Sequence, residues 1–219
     1  MNEATWSAVD DYITEHLIPR EEALEVALAS SSAAGLPEIQ VTANTGKLLH
    51  LLALTVGAKK ILEIGTLGGF STIWLGRALE PGGRLITLEY NPKHAEVARE
   101  KIARAGLAEV VELRVGAALE LLPTLATEAP FDLFFIDADK NNNQHYFEWA
   151  LKLARPGSLI IVDNVVRGGK ILDSETSDEM VAGVRRLYET VGADKRVEAT
   201  AIQTVGGKGH DGVLIARVK

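Results

Sequence analysis

The chain has no cysteine. That absence excludes disulfides, zinc–thiolate sites and thiol nucleophiles, and it agrees with a reducing compartment. Long apolar runs are also missing, since no stretch approaches the roughly 20 residues that span a bilayer. The first residues carry Glu3, Asp10 and Asp11 instead of a basic segment followed by an apolar one. A cytoplasmic protein without membrane contact is expected. Blocks of positive charge are absent as well. With 23 basic and 30 acidic residues the net charge is −7, and the pI is about 5.3. No basic footprint for nucleic acid or an anionic membrane exists, and small molecules are the expected partners. His50, His94, His145 and His210 lack metal-ligand spacing and read as surface or packing residues. Trp74 and Trp149 sit on helical faces and read as core. What remains is 219 residues, 47% hydrophobic, without repeat, linker or low-complexity tract. That is enough for one α/β domain with a filled core.

The stretch Lys60–Phe70, KILEIGTLGGF, organises the rest. Ile61, Leu62 and Ile64 read as a short buried strand running into Gly65, Gly68 and Gly69, after which 70–79 reads as a helix. Such a turn lets a ligand approach bare backbone at the positive end of a helix. In an open α/β sheet it lies at the carboxyl ends of the strands, where ligands bind. A dinucleotide fingerprint G-x-G-x-x-G would need glycines where Leu67 and Phe70 stand, so a nicotinamide enzyme is disfavoured. Instead Glu63 sits inside the strand, where a carboxylate is costly unless it meets a cation or donors. Glu89 ends the next apolar run, at the position from which α/β folds grip a ribose. An acid near the charged end of a cofactor suits a sulfonium or ammonium. The alternative at this point is a structural turn with a satisfied core glutamate.

Two helices precede the sheet, one with Trp6, Val9, Ile13 and Leu17 at helical spacing and one over 21–34. Residues 1–40 are therefore a helical extension, a lid or a dimer surface. Thr42 caps a helix running to about Val56, with Leu48, Leu51, Leu52 and Thr55 on its buried face. Strands are expected at 60–64, 84–89, 110–115, 131–136 and 159–163. Helices near 70–79, 92–105, 117–127, 143–154 and 178–191 fall between or after them. Alternation of this kind builds a doubly wound, mostly parallel sheet. The runs 196–203 and 212–218 are separated only by GGKGHDG, too short for a crossover helix, so they form a hairpin that adds an antiparallel C-terminal edge strand and brings the sheet to seven strands.

Two apolar strands end in clustered oxygen ligands, FDLFFIDADK at Asp137, Asp139 and Lys140, and SLIIVDNVV at Asp163 and Asn164. Both ends fall on the sheet edge that carries Gly65 and Glu89. Carboxylates plus an amide carbonyl, without His or Cys, suit Mg²⁺, Mn²⁺ or Ca²⁺. Each motif alone has a plainer reading, a turn for Asp163-Asn164 and a surface pair for Asp139-Lys140. Together they favour a metal.

E-x-G-x-x-x-G at Glu63, Gly65 and Gly69, followed by Glu89, resembles the class I S-adenosylmethionine-dependent methyltransferases, whose Rossmann-like fold matches the expected order of elements. DADK paired with DN sharpens the resemblance to the cation-dependent O-methyltransferases, the group of caffeoyl-CoA and catechol O-methyltransferases, over nearly the whole of 1–219. The resemblance implies a single O-methyltransferase domain acting on a catechol-like small molecule. It implies that Asp137, Asp163 and Asn164 hold a divalent cation, and that Glu63, Gly65, Thr66, Ser71, Glu89, Ala117 and Asp137 bind S-adenosylmethionine. Val41 and Thr42 match the segment beside the methionine part of the cofactor. Lys140 aligns with the general base, with Asp137 the other catalytic residue.

A cation bound by both oxygens of a vicinal diol would lower a phenol pKa that is about 10 when free. Lys140, if desolvated and close to the cation, would lose its own proton and accept the phenol's, and positioning with electrostatics would supply most of the rate. Three positions depart from the family pattern. Asn143 stands where a tyrosine is usual, Arg167 where an aromatic is usual, and Gly116-Ala117 where Gly-Asp faces the adenine. Arg167 is expected to favour an acidic substituent on the acceptor, or else to pair with Asp173. The apolar stripes of the N-terminal helices predict a homodimer. A methyltransferase acting on nucleic acid or protein amides would show Asn/Asp-Pro-Pro-aromatic in place of Asp137-Ala138-Asp139-Lys140. A non-catalytic S-adenosylmethionine-binding module is the alternative from another class.

Overall fold

A computed structural model of the chain describes residues 2–19 and 35–219. The helix expected over 21–34 lies outside the described residues. The elements are α1 (Glu3–Leu17), α2 (Ala43–Thr55), β1 (Lys60–Ile64), α3 (Phe70–Gly76), β2 (Arg84–Glu89), α4 (Pro92–Arg104), β3 (Val111–Val115) and α5 (Ala118–Leu121), then β4 (Phe131–Ile136), α6 (Asn143–Leu153), β5 (Ala154–Asp163), α7 (Glu179–Ala193), β6 (Val197–Gly206) and β7 (Gly209–Val218). Short 3₁₀ turns cover Leu122–Thr127, Lys140–Asn142 and Arg167–Leu172.

The seven strands are ordered β3-β2-β1-β4-β5-β7-β6. The first five pair in parallel, β7 runs antiparallel between β5 and β6, and β6 forms the edge. This is the class I methyltransferase sheet, closed on one side by its C-terminal hairpin.

Period-two alternation gives each face of the sheet its own core. Leu62, Ile64, Phe134 and Ile136 join one cluster with Phe147 and Val184, whereas Ile61, Leu133 and Phe135 join Phe70, Ile73 and Trp74 in the other. Phe131, Phe134, Phe135 and Phe147 are wholly enclosed, each worth about 1.5–3 kcal/mol relative to an exposed ring. The alternation also aims Glu63, on the same face as Ile61, at α3. Trp74 is buried, as its place on a helical face predicts.

Several expectations change. Thr42 does cap α2, accepting from the Thr45 backbone N–H at 3.2 Å, but the buried stripe is Gly46, Leu49 and Ala53. Leu48 and Leu51 are exposed, by 40% and 49%. The reason is Gly46, where a Cβ would lie 2.3 Å from the Trp74 ring, so the indole decides which side of the helix faces inward. Pro123 divides the helix expected over 117–127 into α5 and a 3₁₀ turn, because its ring cannot continue the α-helical hydrogen bonds. Strands β6 and β7 run into the expected loop, pairing Gly206 with Gly209, so only Gly207-Lys208 forms the tip. Among the described residues no helix is long and apolar enough to cross a membrane.

Candidate active site

The carboxyl ends of β1, β2, β4 and β5 form one edge, and short backbone bonds lock it together. Gly65 N–H donates to Leu88 O, Asp137 N–H to Ile64 O and Gly116 N–H to Glu89 O, each at 2.9 Å. Gly65 has φ +97, and a Cβ there would lie 2.1 Å from the Asp137 carbonyl oxygen. Only glycine fits, which brings the turn after β1 against the end of β4.

Glu63 is fully enclosed. Its Oε1 accepts from Ser71 Oγ at 2.7 Å, and its Oε2 accepts from Thr72 Oγ1 at 2.5 Å and Thr87 Oγ1 at 2.7 Å. Burial raises its pKa to about 7, the three hydroxyls pull it back in part, and the charge of Asp137 adds to the rise. Ser71 is one of the expected cofactor residues. Thr72 follows it, and Thr87 stands beside Glu63 in the β1–β2 register.

Glu89 is a second hub. Its Oε2 accepts from the backbone N–H of Thr66 at 3.2 Å and Leu67 at 2.8 Å, and its Oε1 from Asn91 N–H at 2.9 Å. His94 Nδ1 lies 3.4 Å from the same Oε1, so of the two readings, surface or packing, this histidine takes the second and packs beside Glu89. Ala117 precedes α5, next to Gly116, while Val41 and Thr42 lead into α2.

At the end of β4, Lys140 is buried, and its Nζ donates to Asp137 Oδ1 at 2.7 Å. Asp163 ends β5. Burial and the charge of Asp137 push its carboxyl up to about 7, against the pull of Lys140 and the Asn164 N–H. Asn164 has φ +57, a left-handed conformation that asparagine tolerates, and its N–H donates to Asp163 Oδ1 at 2.8 Å. Asp139, expected among the converging ligands, turns away instead. It accepts from Tyr146 Oη and Asn142 Nδ2, both at 2.5 Å. Among the described residues no group of three or more His, Asp or Glu side chains is arranged to hold a metal. Asp137 and Asp163 supply two carboxylates, and Asn164 would supply an amide.

Asn143 is fully buried at the start of α6, and neither atom of its amide has a hydrogen-bond partner. It lines no open surface. Arg167 has φ +55 and is half-buried; its N–H donates to Asp211 Oδ1 at 3.0 Å, and no pair with Asp173 forms among the described residues. Asp211 also accepts from the N–H of Val166 at 3.0 Å and of Gly212 at 2.9 Å, so it fixes the turn that follows Asp163-Asn164. Sequence reasoning passed over Asp211. Its signal was an Asp-Gly pair at the start of the apolar run 212–218, inside β7. A cavity of about 180 Å³ near Lys60, Arg84 and Glu128 lies at the opposite, amino ends of β1 and β2.

Comparison with known proteins decides the family. The O-methyltransferase family model matches residues 16–219. The chain belongs to the O-methyltransferase family. It is 55% identical to a catechol O-methyltransferase of Mycobacterium tuberculosis over 96% of this chain and 95% of that one. It is 51% identical to a catechol O-methyltransferase of Niastella koreensis, with both chains fully covered. The crystal structure of an O-methyltransferase from Bacillus cereus in complex with SAH superposes with a TM-score of 0.98 at 54% identity, again over both whole chains. The enzyme is thus an S-adenosylmethionine-dependent O-methyltransferase, and the non-catalytic binding-module reading is set aside.

Proposed function

We propose that this methyltransferase is cation-dependent and moves the methyl group to one hydroxyl of a catechol-like small molecule. Asp137, Asp163 and Asn164 would hold Mg²⁺, Mn²⁺ or Ca²⁺. The observation that carries this reading is the pair Asp137 and Asp163, two carboxylates on adjacent strand ends that repel each other, with the Lys140 ammonium bonded to Asp137. The donor set fits a hard cation, because two carboxylates and an amide carbonyl are oxygen ligands and a divalent charge would relieve that repulsion. Two relatives named catechol O-methyltransferase support the acceptor class.

When bound, the cation would supply Lewis acidity to the acceptor's phenol. This chain's own residues would do the rest. Ser71, with Gly65, Thr66 and Glu89, would form the pocket wall for S-adenosylmethionine, and the enclosed Glu63 would act on the cofactor from behind it, through Ser71. Val41 and Thr42 would close it beside the methionine part, and Ala117 would face the adenine. Asp137 would serve both ligands, because it lies against the Gly65 turn and beside Asp163. Lys140 Nζ, held at 2.7 Å from Asp137, would first give up its own proton to solvent beside the bound cation and then, as a neutral amine, accept the phenol's. Methyl transfer would then neutralise a separated charge pair, so fixed positions account for most of the rate.

We further assign 1–219 to one catalytic domain of a cytoplasmic homodimer, with 1–40 as its helical extension. Helix α1 has no buried residue, and Tyr12, Leu17 and Leu51 expose apolar surface that a second copy would cover. A monomer mass by light scattering at micromolar concentration would count against the dimer. The deciding assay for the reaction is methyl transfer from labelled S-adenosylmethionine to a catechol panel, with chelator and with each metal restored. Turnover undiminished by chelator would refute the cation.

A further inference from the structure

The tip of the β6–β7 hairpin reaches across the sheet end to the residues that lead into α2. Lys208 Nζ donates to the Glu38 carbonyl at 3.0 Å and to the Gln40 carbonyl. One residue earlier, Gly207 N–H donates to Asp10 Oδ2 at 3.0 Å. The other oxygen of Asp10 accepts from Asn44 Nδ2 at 3.1 Å, and Asn44 in turn accepts from Thr14 Oγ1 at 3.3 Å. These bonds fasten residues 38–44 from both sides. The ammonium is also close enough to the reaction centre to feel the charges of Asp137 and Asp163. Three residues further on and still near the tip of the same hairpin, Asp211 fixes the turn after Asp163-Asn164.

We propose that Lys208 is a positioning residue for the cofactor: through the Glu38 and Gln40 carbonyls it clasps the segment that carries Val41 and Thr42 against S-adenosylmethionine. This rests on the assignment of Val41 and Thr42 as cofactor contacts. The tip of the β6–β7 hairpin then acts as a bracket, with the cofactor segment fastened by Lys208 and the Asp163 turn by Asp211 three residues later. Three side chains from outside the segment, Lys208, Asp10 and Thr14, bond to these seven residues. Within the segment itself, Thr42 caps α2 and Val41 packs into the core.

The test uses the full chain with Lys208→Met, Lys208→Arg and Asp10→Ala, none of which touches the sheet core. Calorimetry measures S-adenosylmethionine affinity, hydrogen exchange follows the amides of 41–46, and thermal melts check folding. Lys208→Met should weaken the cofactor about tenfold, the scale of a hydrogen bond from a charged donor reduced for exposure. Exchange at 41–46 should speed up while the melting midpoint holds. Lys208→Arg should restore both readouts, since a guanidinium also spans two carbonyls, and Asp10→Ala should shift both in the same direction as Lys208→Met. Unchanged exchange and unchanged affinity in Lys208→Met would overturn the clasp itself. Faster exchange with wild-type affinity would show a clasp on a segment that does not touch the cofactor, which refutes the Val41–Thr42 assignment and the proposal with it. A Lys208→Arg variant as weak as Lys208→Met would also overturn it.

Discussion

Replacing Glu63 by Gln isolates the cost of holding a carboxylate inside the strand that feeds the glycine turn. Glu63 is wholly enclosed, and its carboxyl titrates near 7 in the fold against 4.5 for the free group. A raised carboxyl pKa means that the folded state binds the proton more tightly than the unfolded chain. Its contribution to stability is therefore fully present below the unfolded value and is lost as pH rises through about 7. Integrating the two titrations, the wild type should lose about 2 kcal/mol of unfolding free energy through this one group between pH 5.5 and 8. The Gln variant keeps an oxygen acceptor for Ser71, Thr72 or Thr87, and its amide cannot ionise. Urea unfolding of both proteins at pH 5.5, 6.5 and 8 gives the answer as a difference of differences, which removes groups common to both, Asp163 included. The two curves should converge or cross as pH rises, with the variant relatively more stable at pH 8. Parallel curves would mean that Glu63 stays ionised throughout, held by its hydroxyls, and the burial argument would be wrong.

Asp163→Ala should keep S-adenosylmethionine affinity and lose turnover, whereas Glu89→Ala should lose affinity; equal losses of binding by calorimetry would sink this division of roles. Lys140→Ala should lower kcat with little change in KM, and an unaltered pH–rate profile in the variant would leave Lys140 a purely positional part. Asp132 accepts from the N–H groups of Lys59 and Lys60 at 2.8 and 2.9 Å and from Arg155, and these donors outweigh burial and hold its pKa below the usual carboxylate value. Asp132→Ala should cost about 1–3 kcal/mol at pH 7. That deficit should shrink in acid, because a depressed carboxyl gives stability above its unfolded pKa that is lost as pH falls; urea midpoints at pH 7 and 3.5 read it. An Arg167 that faces the acceptor should favour caffeate over its methyl ester by about 1–3 kcal/mol in kcat/KM, and Arg167→Trp should erase the preference; equal treatment of acid and ester by the wild type would take Arg167 out of the pocket.

The order of elements and the edge that carries the chemistry were legible because they rest on local signals. Period-two apolar runs, glycines at turns and polar residues at strand ends each act within a few residues. What was not legible depends on partners distant in sequence. The inward face of α2 follows from Trp74 entering the notch at Gly46, a contact across 28 residues that no helical period encodes. Lys208 meets carbonyls 170 and 168 positions away. His94 looked idle until β2 delivered Glu89 beside it.

The same distinction separates carboxylates that residue type alone treats alike and that only the family resemblance sorts. Glu63, Glu89, Asp137, Asp139, Asp163 and Asp211 all come near one sheet edge, and residue type gives no reason to prefer any of them for a cation. Long-range pairing does. Glu63 is committed to three hydroxyls, Glu89 to the backbone of the turn after β1 and to Asn91, Asp139 to Tyr146 and Asn142, and Asp211 to three backbone N–H groups. Each of those oxygens already has donors, and recruiting it would strip the fold of bonds that hold the edge in place. Asp163 accepts only the N–H of its neighbour Asn164 among the described residues, and Asp137 only the ammonium of Lys140. These two carboxylates keep free lone pairs and repel each other, which is why the proposed cation is assigned to them. The chemistry of the edge is therefore set less by how many acids the chain brings there than by which ones the fold leaves unspent.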